Sequence, residues 1–250
     1  MEDEKGPRAY LIGLDVSGDG RAVVALGDPD RAANVLTHVP GMTSDLASLG
    51  GELTRAERVA SRAVELGPRA ATSAVLWLDY DAPDFLHEAW SARQAEDAAG
   101  KLRRFQEGLR ATHDGPTALQ TVLGHSYGSL VVGKAATGEL DADRVVFVGS
   151  PGVGVDSAAQ LHLPADRVFS STSVSDPIQW LAVSPGSALP GLLPKVPGPA
   201  DHLWFGHNPS DPAFGARVFT SQWDGGHLGY WDRGKPALDS LATITLGGTP

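Results

Sequence analysis

Between the apolar run Ala118–Leu123 and a helix-like stretch from Ser129 to about Thr137 lies Gly124-His125-Ser126-Tyr127-Gly128, a serine framed by two glycines. A strand that gives way to a helix through so tight a turn constrains the fold more than any other feature of the chain. The glycines let strand and helix pass closely, and the side chain at the apex is held out from the sheet. The rest of the chain repeats the theme. Tyr10–Leu14 and Arg21–Leu26 read as strands joined by the turn cluster Ser17-Gly18-Asp19-Gly20, which is a hairpin connection, and Asn34–Val39 reads as a third strand ending at Pro40-Gly41. A helix from Leu53 to Leu66 stops at Gly67-Pro68; a buried strand covers Ala74–Leu78; a long helix covers Ala92–Thr112, with Leu102, Phe105 and Leu109 on one face. Arg144–Val148, Arg167–Val174 and Arg217–Thr220 complete the strands. Strands alternating with helices predict an α/β fold with a mostly parallel central sheet, an N-terminal antiparallel hairpin and helices on both faces.

At 250 residues the chain is expected to form a single domain over 1–250. A net charge of -10 gives no basic surface for nucleic acid. The absence of cysteine excludes disulfides, thiolate metal sites and thiol nucleophiles. Scattered histidines without H-E-x-x-H spacing predict no metal, and no cofactor motif is present: Gly149-Ser150-Pro151-Gly152-Val153-Gly154 has neither the following lysine nor the spacing of a phosphate loop, and reads instead as a loop lining a site beside the serine turn. The apolar runs are too short to span a bilayer, and Met1-Glu2-Asp3-Glu4-Lys5 lacks the apolar segment of a signal peptide. A cytoplasmic location is therefore expected, with secretion of a longer precursor left open. From about 178 to 214 periodicity fails: the segment is rich in proline and holds Trp180 and Trp204, which suggests a cap or lid over a site.

A serine hydroxyl becomes a nucleophile when a histidine takes its proton and a carboxylate fixes the histidine. The chain order serine, acid, histidine selects Asp176, in Ser175-Asp176-Pro177 after a strand, and His227, in a glycine-rich loop after the last strand. Asp156, Asp79 and Asp81 are rival acids, and His207 is a rival base. His125 is expected to turn into packing. Two N–H donors are needed where negative charge develops on a carbonyl oxygen. Tyr127, the residue after the serine, supplies one, and Met42, in preference to Thr43, supplies the other from the turn after the third strand, where Gly41 permits close approach and Pro40 has no N–H.

Val39-Pro40-Gly41 with Ser44-Asp45-Leu46, Gly124-His125-Ser126-Tyr127-Gly128-Ser129 and Gly149-Ser150-Pro151-Gly152-Val153-Gly154-Val155 together resemble an actinobacterial α/β-hydrolase family known mainly as a domain of unknown function. Gly27-Asp28-Pro29-Asp30 and Asp211-Pro212-Ala213-Phe214-Gly215-Ala216 extend the resemblance from about Tyr10 to Tyr230. It implies the α/β-hydrolase fold and the triad Ser126, Asp176 and His227, and it supplies no substrate. The expected activity is hydrolysis of a small-molecule carboxylic ester through an acyl-enzyme on Ser126, with Gly41, Trp180 and Trp204 contacting a hydrophobic acyl or alkyl group. A cyclase or lyase on the same fold, or a binding module with a degenerate site, are the alternatives. Oligomeric state is not read from the sequence.

Overall fold

The computed structural model describes residues 7–83, 91–182, 201–223 and 225–250. Eight strands form one sheet: β1 (Ala9–Asp15), β2 (Arg21–Leu26), β3 (Asn34–Val39), β4 (Thr72–Leu78), β5 (Leu119–His125), β6 (Arg144–Val148), β7 (Val168–Ser171) and β10 (Arg217–Val218), in the order β1-β2-β4-β3-β5-β6-β7-β10. Only β2 runs against the others, pairing antiparallel with both β1 and β4. The remaining pairs are parallel. A separate two-stranded ribbon joins β8 (His202–Leu203) to β9 (Gly206–His207).

The helices follow from burying both faces of this sheet. Along β6, Val145 and Phe147 enter one apolar cluster while Val146 and Val148 enter the other, the two-residue period of a strand covered on both sides. On one face α2 (Arg93–Thr112) packs against α3 (Tyr127–Ala136), and on the other α1 (Leu49–Leu66) packs against α5 (Pro236–Thr245). α1 buries Ala56, Val59, Ala60 and Ala63, a three-to-four-residue spacing that lays one stripe on the sheet. A short α4 (Ile178–Leu181) follows β7. No helix among the described residues is long and apolar enough to cross a membrane.

Besides α1, which begins four residues early at Leu49, and the β8–β9 ribbon, three elements depart from the sequence reading. The strand expected over 167–174 ends at Ser171, because from Ser173 onward the backbone bonds to side chains instead of a neighbouring strand: Ser173 N–H donates to the Tyr230 hydroxyl at 2.9 Å. β10 is shortened to two residues, although Phe219 N–H still donates to Ser170 O of β7 at 3.0 Å. α5 was hidden by its β-branched Thr243, Ile244 and Thr245, although Pro236 at its first position and the buried Leu238, Leu241 and Ala242 carry the helical spacing. Of the expected cap, residues 183–200 lie outside the described residues.

The topology sets where a site can form. β3 and β5 are neighbours, yet the chain leaves β3 toward β4 on one side and β5 toward β6 on the other, so a crevice opens at their carboxyl ends. Val39 stands opposite Gly124 in this pair, which places Pro40-Gly41 beside His125-Ser126.

Candidate active site

Ser126 sits at that crevice in a backbone conformation of φ 53° and ψ -128°, outside the regions that a residue with a side chain prefers. Both flanking glycines are required by contact. A Cβ on Gly124 would stand 2.5 Å from Ser129 Cα, and one on Gly128 would stand 2.2 Å from Val39 O, so strand, turn and helix meet backbone to backbone. Ser126 N–H donates to Val148 O at 3.0 Å, tying the turn to the end of β6.

The β3 loop closes on the serine from the other side. A Cβ on Gly41 would stand 2.6 Å from Ser126 Cβ and 3.2 Å from its Oγ. Pro40 O accepts from the buried Tyr80 hydroxyl at 2.6 Å, which fixes the loop at its start. Thr43, at φ 60°, donates its N–H to Pro83 O at 2.9 Å. Its N–H is therefore occupied, whereas among the described residues no acceptor meets that of Met42. Tyr127 opens α3, where the first N–H groups have no partner inside the helix. Its ring is buried, with the hydroxyl donating to Ser91 O at 2.6 Å.

Asp176 and His227 come together from separate loops. His227 Nδ1 lies 2.9 Å from both carboxylate oxygens of Asp176. Asp176 is completely buried, and Oδ1 accepts from Ile178 N–H at 2.9 Å while Oδ2 accepts from the Tyr230 hydroxyl at 2.7 Å. Such donors are what an ionised carboxyl requires away from water. Gly149, at φ 56°, passes so close that a Cβ there would be 2.8 Å from Asp176 Oδ2 and 3.1 Å from His227 Nδ1.

His125 is turned inward, as expected of a packing residue, and also donates a ring nitrogen toward the site: its Nε2 lies 2.9 Å from His227 O. The two imidazoles are 4.7 Å apart between centroids. Burial, with His227 beside it, holds His125 well below the ordinary histidine range, so it is neutral and can donate this bond from one nitrogen. Trp231 packs edge-on against His125 and against His38, and the buried His38 Nε2 lies 3.1 Å from Glu52 Oε2.

Ser126, His227, Met42 and Tyr127 line one cavity of about 130 Å³, together with Pro151, Pro177, Ile178, Leu181 and Trp204. No direct hydrogen bond joins Ser126 and His227. Trp204 arrives on the β8–β9 ribbon, which is clamped by Phe205 N–H to Pro151 O at 3.1 Å and by Gly154 N–H to Phe205 O at 2.7 Å. Trp180 does not line the cavity. It is 55% exposed; Ile178 and the half-exposed Leu181 of the same turn reach the cavity wall, and the residue that α4 buries is Gln179.

The rival residues have other partners. Asp79 and Asp81 pair with Lys101 and Arg21 at the surface. His207 Nε2 lies 3.1 Å from Asp211, and Asp156 accepts from His207 N–H at 3.0 Å. Among the described residues, no group of three metal-binding side chains occurs. Pro151, in the glycine-rich loop read as lining the site, does line the cavity, but the contact of Gly149 with the acid and histidine escaped the sequence reading, as did Tyr230. Tyr230 had a signal in its three-residue spacing from His227.

An eight-stranded sheet of this order, with only the second strand reversed and its crevice at the end of β5, is the α/β-hydrolase fold. The family model described as alpha/beta hydrolase matches residues 15–184. The chain belongs to that family. It is 33% identical over 268 residues to an uncharacterized protein of Mycobacterium tuberculosis, a match that covers 98% of this chain and 40% of the relative. It thus spans about two fifths of the length of that relative. It is 36% identical over 180 residues to an uncharacterized protein of Mycobacterium bovis, covering 68% of each. A similar solved structure is a ferulic acid esterase from Anaeromyces mucronatus, with 16% identity, a TM-score of 0.49 and coverage of 70% of this chain and 75% of that one.

Proposed function

We propose that the protein is a serine hydrolase that cleaves a small carboxylic ester with a hydrophobic acyl or alkyl group through an acyl-enzyme on Ser126. One observation carries the reading: a strained serine and a histidine held by a fully buried carboxylate line the same apolar cavity. The Ser126 hydroxyl attacks the ester carbonyl while His227 Nε2 takes its proton. Asp176 holds the opposite ring nitrogen and stabilises the imidazolium. The oxyanion is met by the N–H groups of Met42 and Tyr127, the first free of acceptors among the described residues and the second at the start of α3. His227 then returns its proton to the leaving alcohol, the alcohol departs, and water activated by the same imidazole releases the acid. The hydrogen bond between Ser126 and His227 forms on substrate binding, in keeping with the looser geometry of catalytic groups in free enzymes.

The lining supports a hydrophobic group: apart from Ser126 and His227 it consists of apolar side chains and the aromatic rings of Tyr127 and Trp204. The test is covalent. A fluorophosphonate adds one label to the wild-type chain at Ser126, by intact mass and peptide mapping, and Ser126→Ala abolishes both labelling and turnover of p-nitrophenyl esters, a loss on the order of 10⁴-fold or more. Labelling that persists in Ser126→Ala overturns the assignment.

A further inference from the structure

The carboxylate of Asp176 is bonded by a group that has no proton to transfer in the proposed reaction. His227 and Tyr230 lie on one 3₁₀ turn, Gly226–Trp231. Residues three apart eclipse in such a turn, so both side chains reach the same buried acid. The Tyr230 hydroxyl accepts from Ser173 N–H at 2.9 Å and donates to Asp176 Oδ2 at 2.7 Å. Because the backbone amide occupies a lone pair of the phenol oxygen, the phenol hydrogen is directed at the carboxylate. Tyr230 has no exposed surface, and burial together with the charge of Asp176 raises it far above the ordinary tyrosine range, which keeps that hydrogen in place at every pH of interest. Ser173 belongs to the loop that carries Asp176, since Ser173 O accepts from Asp176 N–H at 2.9 Å. One hydroxyl therefore joins the acid loop to the histidine turn.

We propose that Tyr230 is a positioning residue for the Asp176–His227 pair, holding the carboxylate in one orientation and sharing the charge that it presents to the imidazole. The proposal rests on the serine-hydrolase reading for its catalytic meaning, while the effect on His227 is a property of the free protein. Among the described residues, the other titratable groups about the pair are His125 from β5 and, beyond Trp231, His38 from β3 and Glu52, Arg55 and Arg58 from α1. His125 also meets the Tyr230 ring edge-on, 6.3 Å between centroids, a contact that phenylalanine retains.

The experiment follows the imidazole nitrogens of His227 by NMR as pH is varied, in the wild-type chain, in Tyr230→Phe and in protein carrying 3-fluorotyrosine at its four tyrosines. Loss of the donor leaves the carboxylate more negative, so His227 in Tyr230→Phe titrates about 0.5 to 1 pH unit higher. The more acidic fluorophenol is a stronger donor and moves the titration in the opposite direction without removing the bond, which keeps the test open if Tyr230→Phe fails to fold. With p-nitrophenyl butyrate, Tyr230→Phe loses about tenfold in kcat at nearly unchanged KM, and the acid limb of its kcat/KM profile moves upward with the His227 titration. A titration that stays in place in the variant that folds, or moves with the opposite sign, overturns the proposal. If His227 shifts as stated while the wild-type chain neither labels at Ser126 nor turns over esters, the positioning role stands and the hydrolase reading fails.

Discussion

A methyl group on Gly149 would meet Asp176 Oδ2 at 2.8 Å and His227 Nδ1 at 3.1 Å, at a backbone φ of 56° that disfavours any side chain. The loop after β6 therefore forms a wall against which the acid and histidine are held. Gly149→Ala forces the pair apart or the loop away. Effective alignment of reacting groups is sensitive to displacements of about 1 Å, which can cost ~10²-fold. The expected outcome is a fall of that order in kcat/KM for p-nitrophenyl butyrate, with far-UV circular dichroism unchanged. An alanine variant with wild-type kcat/KM would show that the loop does not constrain the pair. His125 is a different kind of support: neutral, buried and bonded to the backbone of His227, it acts on the position of the loop rather than on the charge of the ring.

At the scale of elements, the ribbon of β8 and β9 has the clearest functional consequence. Two residues per strand cannot hold a ribbon in place by themselves, and it is the backbone bonds from Phe205 to Pro151 and from Gly154 to Phe205 that seat it beside the crevice. A Cβ on Gly152 would stand 2.6 Å from Phe205 C, so the close approach depends on that glycine. Trp204 is thereby placed in the cavity wall. Trp204→Ala removes apolar contact worth roughly 1–2 kcal/mol with a substrate chain, or about a five- to thirtyfold rise in KM, for hexanoyl esters, with a much smaller rise for acetyl esters. A uniform change across chain lengths would place the tryptophan away from the acyl or alkyl group. Trp180, two residues after the start of α4, shows how little proximity in sequence guarantees: Ile178 and Leu181 of the same turn line the cavity and its ring does not.

For the whole molecule, the buried charges under the site set its response to acid. Burial alone would raise the Glu52 carboxyl, but the hydrogen bond and charge of His38, with Arg55 adding to them, outweigh it and hold the group at about 2, below the ordinary 4.5. A carboxyl depressed in the folded state contributes stability above its unfolded value, here about pH 4.5, and loses it as pH falls toward 2. The amount is on the order of 3 kcal/mol. Thermal unfolding of the wild-type chain should show Tm falling through this window. Glu52→Gln should melt lower at pH 7 yet lose less on acidification, and parallel Tm curves for the two proteins from pH 6 to pH 3 would assign the acid response to other groups.

Much of this architecture is legible in the sequence because its signals are local. The strand before Ser126, the two glycines and the helix after it depend on neighbours in the chain, as do the alternating strands and the missing N–H of Pro40. The order of serine, acid and histidine along the whole chain then selected Asp176 and His227 from several carboxylates and imidazoles. Contacts between distant segments left weaker traces. The glycine-rich stretch from Gly149 reads as a loop beside the site, but nothing near it reveals that Gly149, 27 residues before Asp176 and 78 before His227, closes against both. The early end of β7 was equally hidden, because Ser173 N–H donates to a phenol 57 residues onward. Which face of α4 meets the cavity depends on how that short helix docks, and its four residues carry too little apolar pattern to say. Local sterics and periodicity thus determined the elements and the candidate residues from the sequence alone. Only packing across the crevice decided which side chains touch, because those contacts join segments whose positions are fixed by the sheet rather than by their neighbours in the chain.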